Sequence, residues 1–278
     1  MIDTLILMST LTALFLAVGF VVGGTTGVIF AFAIALVMNF LSYWFSDKIV
    51  LRMYGATPYE NQKVHETVGR LAHEYHLPRP KIFLVKTRVP NAFATGRDPR
   101  HSSIALTEGV LALEEDELEG VLAHEMGHIK NRDILVSSMA ATVAGAIAYV
   151  AQMAYFSARY RGDNRNQGNG IGIILVVILA PLAAMLVRLA ISRRREYKAD
   201  TIGALITKKP GALASALRKI DTLAREHPLR GPSATSHLWF VNPFRQDWFS
   251  GMFMTHPPTA KRIEALQDIE SELKKEAA

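Results

Sequence analysis

The sequence predicts a mainly α-helical protein with a small β-sheet, joined to four transmembrane helices that form two hairpins. Half of the 278 residues are hydrophobic and the mean hydropathy is positive, at +0.16. That is more apolar sequence than a single soluble domain of this length needs. Four apolar stretches of about 18 residues are long enough to cross a bilayer as helices, and three short β-like runs lie between the second and third stretches.

The first two apolar stretches run from about Leu5 to Val22 and from about Gly27 to Phe45. Only the uncharged turn Gly23-Gly24-Thr25-Thr26 separates them, so we predict a helical hairpin. Tyr43 and Trp44 lie near the end of the second stretch, where an aromatic belt meets the membrane surface. No small-residue cleavage site separates the two stretches, which favours a retained anchor over a secretory signal.

The third and fourth stretches are predicted to form a second hairpin, from Ser138 to Phe156 and from Ile171 to about Val187. The third is rich in Ala and Gly, which allow membrane helices to approach closely. A polar loop, Ala158 to Gly170, connects the two. The predicted domains are an N-terminal hairpin, a domain of soluble character in two parts and the hairpin inserted in it: residues 1–46, residues 47–137 with 192–278, and residues 138–191.

The rest of the chain has the patterns of a soluble domain. A helix is predicted from Thr57, as N-cap before Pro58, to about His76. The other predicted elements are three strands, Lys81–Val85, Asn91–Thr95 and Ser103–Leu106, and three helices, Glu114–Arg132, about Gly211–Glu226 and about Thr259–Lys275.

Composition limits the partners and the chemistry. The chain has no cysteine, which excludes disulfides and thiolate metal sites. The formal net charge is +6. Basic residues cluster beside apolar runs, as at Arg193–Arg195, so we expect contact with a lipid bilayer and no binding of nucleic acid.

The segment Ala123-His124-Glu125-Met126-Gly127-His128 contains the pattern H-E-x-x-H. Residues four apart share one face of a helix, so His124 and His128 can bind the same metal ion. Glu125 lies beside that ion, where it can take a proton from a water molecule activated by zinc. We therefore predict a zinc-dependent peptidase with Glu125 as general base; the alternative is a partly exposed amphipathic helix that carries two histidines by chance.

A catalytic zinc site needs a third protein ligand and an open position. Glu196 and Asp200 follow the fourth apolar stretch and share a helix face by their i,i+4 spacing. One carboxylate could bind the metal while the other orients a ligand imidazole. Alternatively, both pair with the basic residues Arg193–Arg195 or Lys198 at the surface. The spacing alone does not separate these alternatives.

These residues together resemble the HtpX family of membrane-bound zinc metallopeptidases. The likeness covers essentially the whole chain and rests on His124 to His128, Glu196-x-x-x-Asp200, the apolar runs, Asn91-Ala92-Phe93-Ala94 and Thr255-His256-Pro257. It implies an α+β zincin-like catalytic domain that binds one zinc ion per subunit through His124, His128 and Glu196. It also implies that Asp200 supports a ligand, and that the enzyme degrades misfolded or damaged membrane proteins in the bacterial inner membrane under stress.

Two further residues are candidates through the same resemblance. His256 would stabilise the oxyanion that forms during hydrolysis, although it also suits a loop beside two prolines. Asn91 opens a segment that resembles the family's edge strand beside the cleft, so it would contact an extended substrate; a simple turn after Pro90 is the alternative. Phe93 is expected in the core.

Charge distribution predicts the orientation in the membrane. His128 and Glu196 must lie on one side, and the two intervening apolar stretches satisfy that requirement. Most basic residues near the spans flank this same side, which the positive-inside rule places in the cytoplasm. The loop that carries Arg159, Arg161 and Arg165 disagrees, and we expect the ligand geometry to override it. A non-catalytic membrane scaffold with a structural metal ion remains the competing hypothesis.

Overall fold

A four-stranded sheet separates two groups of helices in this protein. The computed structural model describes residues 2–143, 193–226 and 257–276. The strands are β1 (Thr57–Pro58), β2 (Lys81–Val85), β3 (Ala92–Gly96) and β4 (Ser102–Thr107). The helices are α1 (Ile2–Met53), α2 (Gln62–Tyr75), α3 (Glu115–Asn131), α4 (Asp133–Val143, to the end of its described part), α5 (Arg193–Thr207), α6 (Pro210–Glu226) and α7 (Thr259–Glu276), with 3₁₀ turns at Pro99–His101 and Val110–Ala112.

The sheet is mixed, with strand order β1-β2-β4-β3. β2 and β4 are parallel, whereas the outer strands β1 and β3 pair antiparallel with their neighbours. The positions of the three predicted strands are confirmed to within one residue at each end. The short apolar runs bounded by turn residues were sufficient to locate them.

Alternate residues of the strands supply two separate cores, because successive side chains point to opposite faces of a sheet. Ala92, Ala94 and Ile104 face the main core beneath α2, α3, α6 and α7. Phe93 and Ala105 face the other side, where Val50 and Leu51 of α1 and Ala141 of α4 cover them. The apolar N-terminal helix is thereby attached directly to the sheet. Phe93 is a core residue, as expected.

Helix α1 consists of two segments that meet at a break at Gly23 and Gly24. Gly24 has φ 56° and ψ −139°, a conformation that favours glycine. The segments lie antiparallel: Asn39 donates a hydrogen bond to the Thr12 hydroxyl at 3.0 Å, and the backbones of Gly19 and Gly27 meet without side chains between them. The chain thus reverses direction at the turn that the sequence indicated.

One helix in the described part of the chain, Gly23–Met53, is long and apolar enough to cross a membrane. Two shorter apolar helices, Met8–Ala17 and Asp133–Val143, are described as well. The remainder of the predicted second hairpin, from residue 144 to residue 191, lies outside the described residues. Four transmembrane helices therefore remain a prediction. The second segment of α1 continues unbroken past the predicted boundary at residue 46 and ends at Met53.

The predicted start of α2 was wrong. Thr57 and Pro58 do not cap a helix but form β1, which pairs with Phe83 and Leu84 of β2. The N-cap is Asn61, whose side chain accepts the backbone N–H of Val64 at 3.2 Å. Threonine before proline also suits an extended edge strand, and sheet pairing selected that alternative.

The Gly19–Gly27 contact predicts opposite outcomes for two glycine substitutions in α1. A Cβ added at Gly27 would lie 2.0 Å from the Gly19 carbonyl oxygen, whereas one added at Gly23 would meet nothing within 4 Å. We expect Gly27→Ala to lower the free energy of unfolding by about 1–3 kcal/mol through overpacking. Gly23→Ala is the control and should leave it nearly unchanged. Thermal unfolding of the detergent-solubilised chain, followed by circular dichroism, measures both; equal melting temperatures would contradict the hairpin contact.

Candidate active site

Helix α3 carries the H-E-x-x-H segment through the centre of the domain. It begins after Glu114, whose backbone N–H is accepted by the Glu117 carboxylate at 3.1 Å. It ends at Arg132, whose φ of 61° allows its N–H to close on the carbonyls of the last turn. The helix boundaries predicted from the acidic first turn are thus confirmed. The apolar side chains of this helix are buried in the core: Val121, Leu122, Met126 and Ile129.

Two glycines allow α5 to pack closely against α3. A Cβ added at Gly127 would lie 3.2 Å from the Cα of Ala199, and one at Gly203 would lie 3.1 Å from the backbone nitrogen of His124. Contacts this tight are possible because neither glycine has a side chain. The backbone of α5 therefore runs beside the histidines of α3, close enough for a carboxylate on α5 to reach both.

His124, His128 and Glu196 converge on one point. The two Nε2 atoms are 3.1 Å apart. The nearest Glu196 carboxylate oxygens lie 3.7 Å from Nε2 of His124 and 3.4 Å from Nε2 of His128. Each of the three residues offers one ligand atom to a common centre. Of the two alternatives for Glu196, the structure therefore selects the carboxylate that faces the histidines.

Carboxylates hold the other nitrogen of each imidazole. Nδ1 of His124 lies 2.8 Å from Asp200, and Nδ1 of His128 lies 3.2 Å from Asp133. Such partners favour the proton on Nδ1 and leave Nε2 as a lone-pair donor. Asp200 acts on His124 as the sequence suggested. Asp133 was missed, although its position one residue after the C-cap of α3 could have indicated it.

Arg262 is a second residue that the sequence did not identify. It lies on α7, is 1% exposed, and donates through Nε and Nη2 to both oxygens of Asp200 at 2.7 Å. Its Nη1 lies 3.6 Å from the Glu196 carboxylate. These two hydrogen bonds stabilise the charged form of Asp200, which would otherwise be costly to bury. Arg262 thus connects the last helix to the site.

The donor set suits a metal cation. Two imidazole nitrogens and a carboxylate oxygen that face one point can bind the same cation. Two nitrogen ligands and one oxygen ligand are typical of catalytic metal sites that leave one position open. The chemistry and the arrangement of His124, His128 and Glu196 therefore fit a bound divalent metal ion.

Glu125 lies between the ligand cluster and the edge of the sheet. Burial raises its pKa to about 7, an effect to which the Glu196 carboxylate adds and which His128 opposes. Its carboxylate accepts the backbone N–H of Ala94, which comes from β3. A carboxylate whose pKa lies near neutrality is well matched to accepting and returning a proton. Glu125 is therefore suited to proton transfer, whereas His124 and His128 offer nitrogen atoms to the common centre.

The two histidines have opposite pKa shifts when no cation is bound. Burial lowers the pKa of His124 to about 4, although Asp200 acts in the other direction. Burial also acts to lower the pKa of His128, but Glu196, Asp133 and Glu125 outweigh it and raise the value to about 9. Acidic side chains thus surround His128 closely, as a cation-binding site requires.

Asn91 and His256 are the remaining residues that the sequence predicted for the site. Asn91 is 1% exposed, and its backbone N–H and C=O both pair with Thr107, at 2.8 Å and 3.1 Å. It lies just before β3, three residues before Ala94, which contacts Glu125. A role in substrate contact stays a prediction. His256 lies outside the described residues, so its role also stays a prediction.

Comparison with known proteins identifies the family. The profile described as peptidase family M48 matches residues 58–270, which include every part of the cluster. The chain belongs to peptidase family M48. It is therefore a metallopeptidase, it acts on polypeptides, and the H-E-x-x-H segment and Glu196 lie within the matched region.

Its relatives place this M48 peptidase in the HtpX group. It is 52% identical to a "Protease HtpX homolog" of Pyrococcus abyssi, over 98% of this chain and 96% of that one. A protein of the same description from Sulfurihydrogenibium is 49% identical, over 96% and 95% of the two chains. The crystal structure of S. mikatae Ste24p superposes with a TM-score of 0.52 at 19% identity, covering 93% of this chain and 62% of that one, and shows a shared fold.

The contact between Asp133 and His128 predicts a role in metal affinity. We expect Asp133→Ala to weaken zinc binding about 10- to 100-fold, because the imidazole loses the partner that orients it and increases its basicity. Asp116→Ala, on the exposed first turn of α3, should leave the affinity for zinc unchanged. Competition for zinc with a chromophoric chelator gives the constants. If both variants bind zinc as tightly as the parent, Asp133 does not support His128.

Proposed function

We propose that the protein is a membrane-integrated, zinc-dependent endopeptidase that hydrolyses peptide bonds of misfolded or damaged membrane proteins. His124, His128 and Glu196 bind one zinc ion per subunit, and Glu125 is the general base. The observation that carries the proposal is the convergence of three buried ligand atoms beside a carboxyl group whose pKa is about 7. Asp200 and Asp133 orient the two imidazoles.

Ligand spacing supports zinc as the metal. Atoms that bind zinc at about 2.0–2.1 Å with tetrahedral angles lie about 3.4 Å from one another. The Nε2 atoms of His124 and His128 are 3.1 Å apart, and the two oxygens of Glu196 lie near this spacing, Oε1 at 3.4 Å from His128 and Oε2 at 3.7 Å from His124. Histidine nitrogen with a single carboxylate is also a ligand set that zinc accepts readily, whereas calcium and magnesium prefer oxygen.

Different residues of the chain would act at different steps of hydrolysis. When bound, zinc supplies Lewis-acid polarisation and lowers the pKa of water. Glu125 accepts the proton of the attacking water and returns it to the leaving amine, which its pKa near neutrality suits. The Ala94 N–H holds the Glu125 carboxylate in place, and burial keeps competing water away from it. His256 is our candidate to donate a hydrogen bond to the developing oxyanion.

We further propose that substrates bind in extended form along β3. Among the described residues, β3 pairs only with β4, and Ala94 directs its N–H away from β4 toward Glu125. A polypeptide that adds to this edge would bring its main chain to the general base. The N–H of Gly96, like that of Ala94, already has a partner, because the Ser138 hydroxyl of α4 accepts it at 3.2 Å. Asn91 would contact the substrate just before the strand.

The membrane assignment rests on α1 and on the basic flanks. The helix Gly23–Met53 exposes large apolar side chains along its length, among them Ile29, Phe30 and Phe40. Such a surface suits lipid and not water. We propose a multi-pass protein of the inner membrane, with residues 1–46 and 138–191 as hairpins and residues 47–137 and 192–278 as a cytoplasmic peptidase domain.

Replacing Glu125 tests the catalytic role directly. Glu125→Gln keeps the size of the side chain but cannot accept a proton, so we expect casein cleavage to fall about 10²–10⁴-fold. Zinc content, measured by inductively coupled plasma mass spectrometry, should remain at one per chain. Glu119→Gln, on the same helix but away from the ligands, is the control and should cleave casein normally.

Metal removal distinguishes a peptidase from a scaffold with a structural metal ion. Chelation should stop cleavage by the parent protein, and added zinc should restore it, while Glu196→Ala should not recover. Full activity of purified Glu125→Gln, or activity that survives chelation, would overturn the proposed mechanism.

The absence of cysteine allows a clean test of membrane orientation. A single cysteine at Lys63 would lie in the peptidase domain, and one at Asn164 in the loop between the third and fourth apolar stretches. We expect a membrane-impermeant maleimide to label Asn164→Cys in intact spheroplasts and Lys63→Cys only after permeabilisation. The reverse pattern would place the peptidase domain outside, and labelling of neither in intact spheroplasts would mean that the second hairpin does not cross.

A further inference from the structure

A cavity of about 570 Å³ lies at the junction between α1 and the sheet, away from the metal ligands. Its walls come from the end of the apolar segment of α1, from the start of β2 and from the 3₁₀ turn before β4. Five cationic side chains line it, together with the Asp47 carboxylate: Lys48, Arg79, Lys81, Arg97 and Arg100. Neither the peptidase reaction nor the metal site accounts for this concentration of charge.

Most of this charge has no carboxylate partner. Asp98 lies 3.6 Å from Arg97 and 2.9 Å from His101. Within the described parts of the chain, no ion pair involves Lys48, Lys81 or Arg100. When Asp47 and Asp98 are set against the five cations, the cavity retains an excess of three positive charges. Like charges held this close repel, so an anion in the cavity would be strongly favoured.

Aromatic rings of α1 also line the cavity, in contact with two of the cations. The Arg97 guanidinium lies 4.5 Å from the centre of the Trp44 ring, and Lys48 lies 5.6 Å from that of Phe45. Trp44 is 43% exposed and Phe45 is 39% exposed. Tryptophan at the end of an apolar helix marks the level of lipid headgroups. The cavity therefore has one apolar side that continues into the membrane-length helix and one basic side that continues into the peptidase domain.

We propose that this cavity binds the phosphodiester headgroup of an anionic phospholipid, with the acyl chains lying along Phe40 and Phe45. Lysine and arginine side chains recognise phosphate by charge-assisted hydrogen bonds. The volume suits a headgroup-sized ligand. The proposal depends on α1 lying in a bilayer, as proposed above. Nucleic acid would also supply phosphates, but the exposed rings lie towards the end of a helix long and apolar enough to cross a membrane, which favours lipid.

Headgroup binding would connect the bilayer to the active site. Arg97 directly follows β3, and Ala94, which contacts Glu125, lies three residues earlier, about 10 Å away along an extended strand. Lys81 opens β2, which pairs with β4 in the same sheet. A lipid held by these side chains would orient the sheet, and with it the edge strand, against the membrane surface.

Trp44 can report lipid binding to this cavity. The chain has three tryptophans, so Trp239→Phe/Trp248→Phe leaves Trp44 as the single fluorophore. We would place this full-length protein in nanodiscs of phosphatidylcholine and add brominated phosphatidylglycerol or brominated phosphatidylcholine. The expected result is at least five-fold stronger apparent binding of the anionic lipid, measured by quenching of Trp44. Removing one charge, as Lys81→Gln or as Arg100→Gln, should reduce that preference about five-fold.

Lys86→Gln is the matched control. Lys86 is exposed and directly follows the other end of β2, about 17 Å from Lys81, and its removal changes the net charge equally. An unchanged preference in Lys86→Gln supports the cavity, whereas an equal loss in all three variants would attribute the preference to net charge and overturn the proposal. Displacement of the brominated lipid by millimolar inorganic phosphate would likewise overturn it, since the site would then select free phosphate.

The outcomes also separate this proposal from the membrane assignment. If neither brominated lipid quenches Trp44, the second segment of α1 is not in the bilayer, and both proposals fail. If the two lipids quench Trp44 equally well, α1 is in the bilayer and only the headgroup site is wrong.

Discussion

The close packing of α3 against α5 is the constraint on which the site depends. Three ligand atoms from two helices can meet only if the helix backbones approach more closely than ordinary side chains allow. Gly127 and Gly203 provide that approach, the first against Ala199 and the second against the backbone of His124. A larger side chain at either position would push Glu196 away from the histidines. The metal centre is thus a consequence of helix packing as much as of ligand chemistry.

This packing encloses several charges, and each described acid of the cluster has a cationic or imidazole partner. Asp200 lies between His124 and the forked donors of Arg262, while Asp133 lies beside His128 and 3.8 Å from Arg195. Buried charges are tolerated only when they are paired and hydrogen-bonded. The cluster therefore joins α3, α4, α5 and α7 through electrostatics, and the site and the fold stabilise one another.

The sheet relates this cluster to the N-terminal helix. One face of β3 belongs to the core around α3, and the other face packs against α1 and α4. The Ser138 hydroxyl forms hydrogen bonds with Thr95 and Gly96 of β3, the strand whose Ala94 contacts Glu125. A four-stranded sheet thus provides a short path from the apolar helices to Glu125. Glu125 and the ligand cluster therefore lie one sheet away from an apolar helix of membrane length.

Local sequence determined the elements and the two histidines. The acidic first turn located α3, short apolar runs located β2, β3 and β4, and the i,i+4 spacing placed His124 and His128 on one face, because these signals act over a few residues. Only the tertiary structure decided that Glu196 faces the histidines and not the solvent, that Asp133 and Arg262 support the site, and that Thr57-Pro58 forms a strand. Those outcomes depend on contacts between residues distant in sequence, such as Arg262 with Asp200 and Pro58 with Phe83. A local pattern does not determine which distant residue becomes the partner. The free energy of burying a charge or of pairing an edge strand depends on that partner.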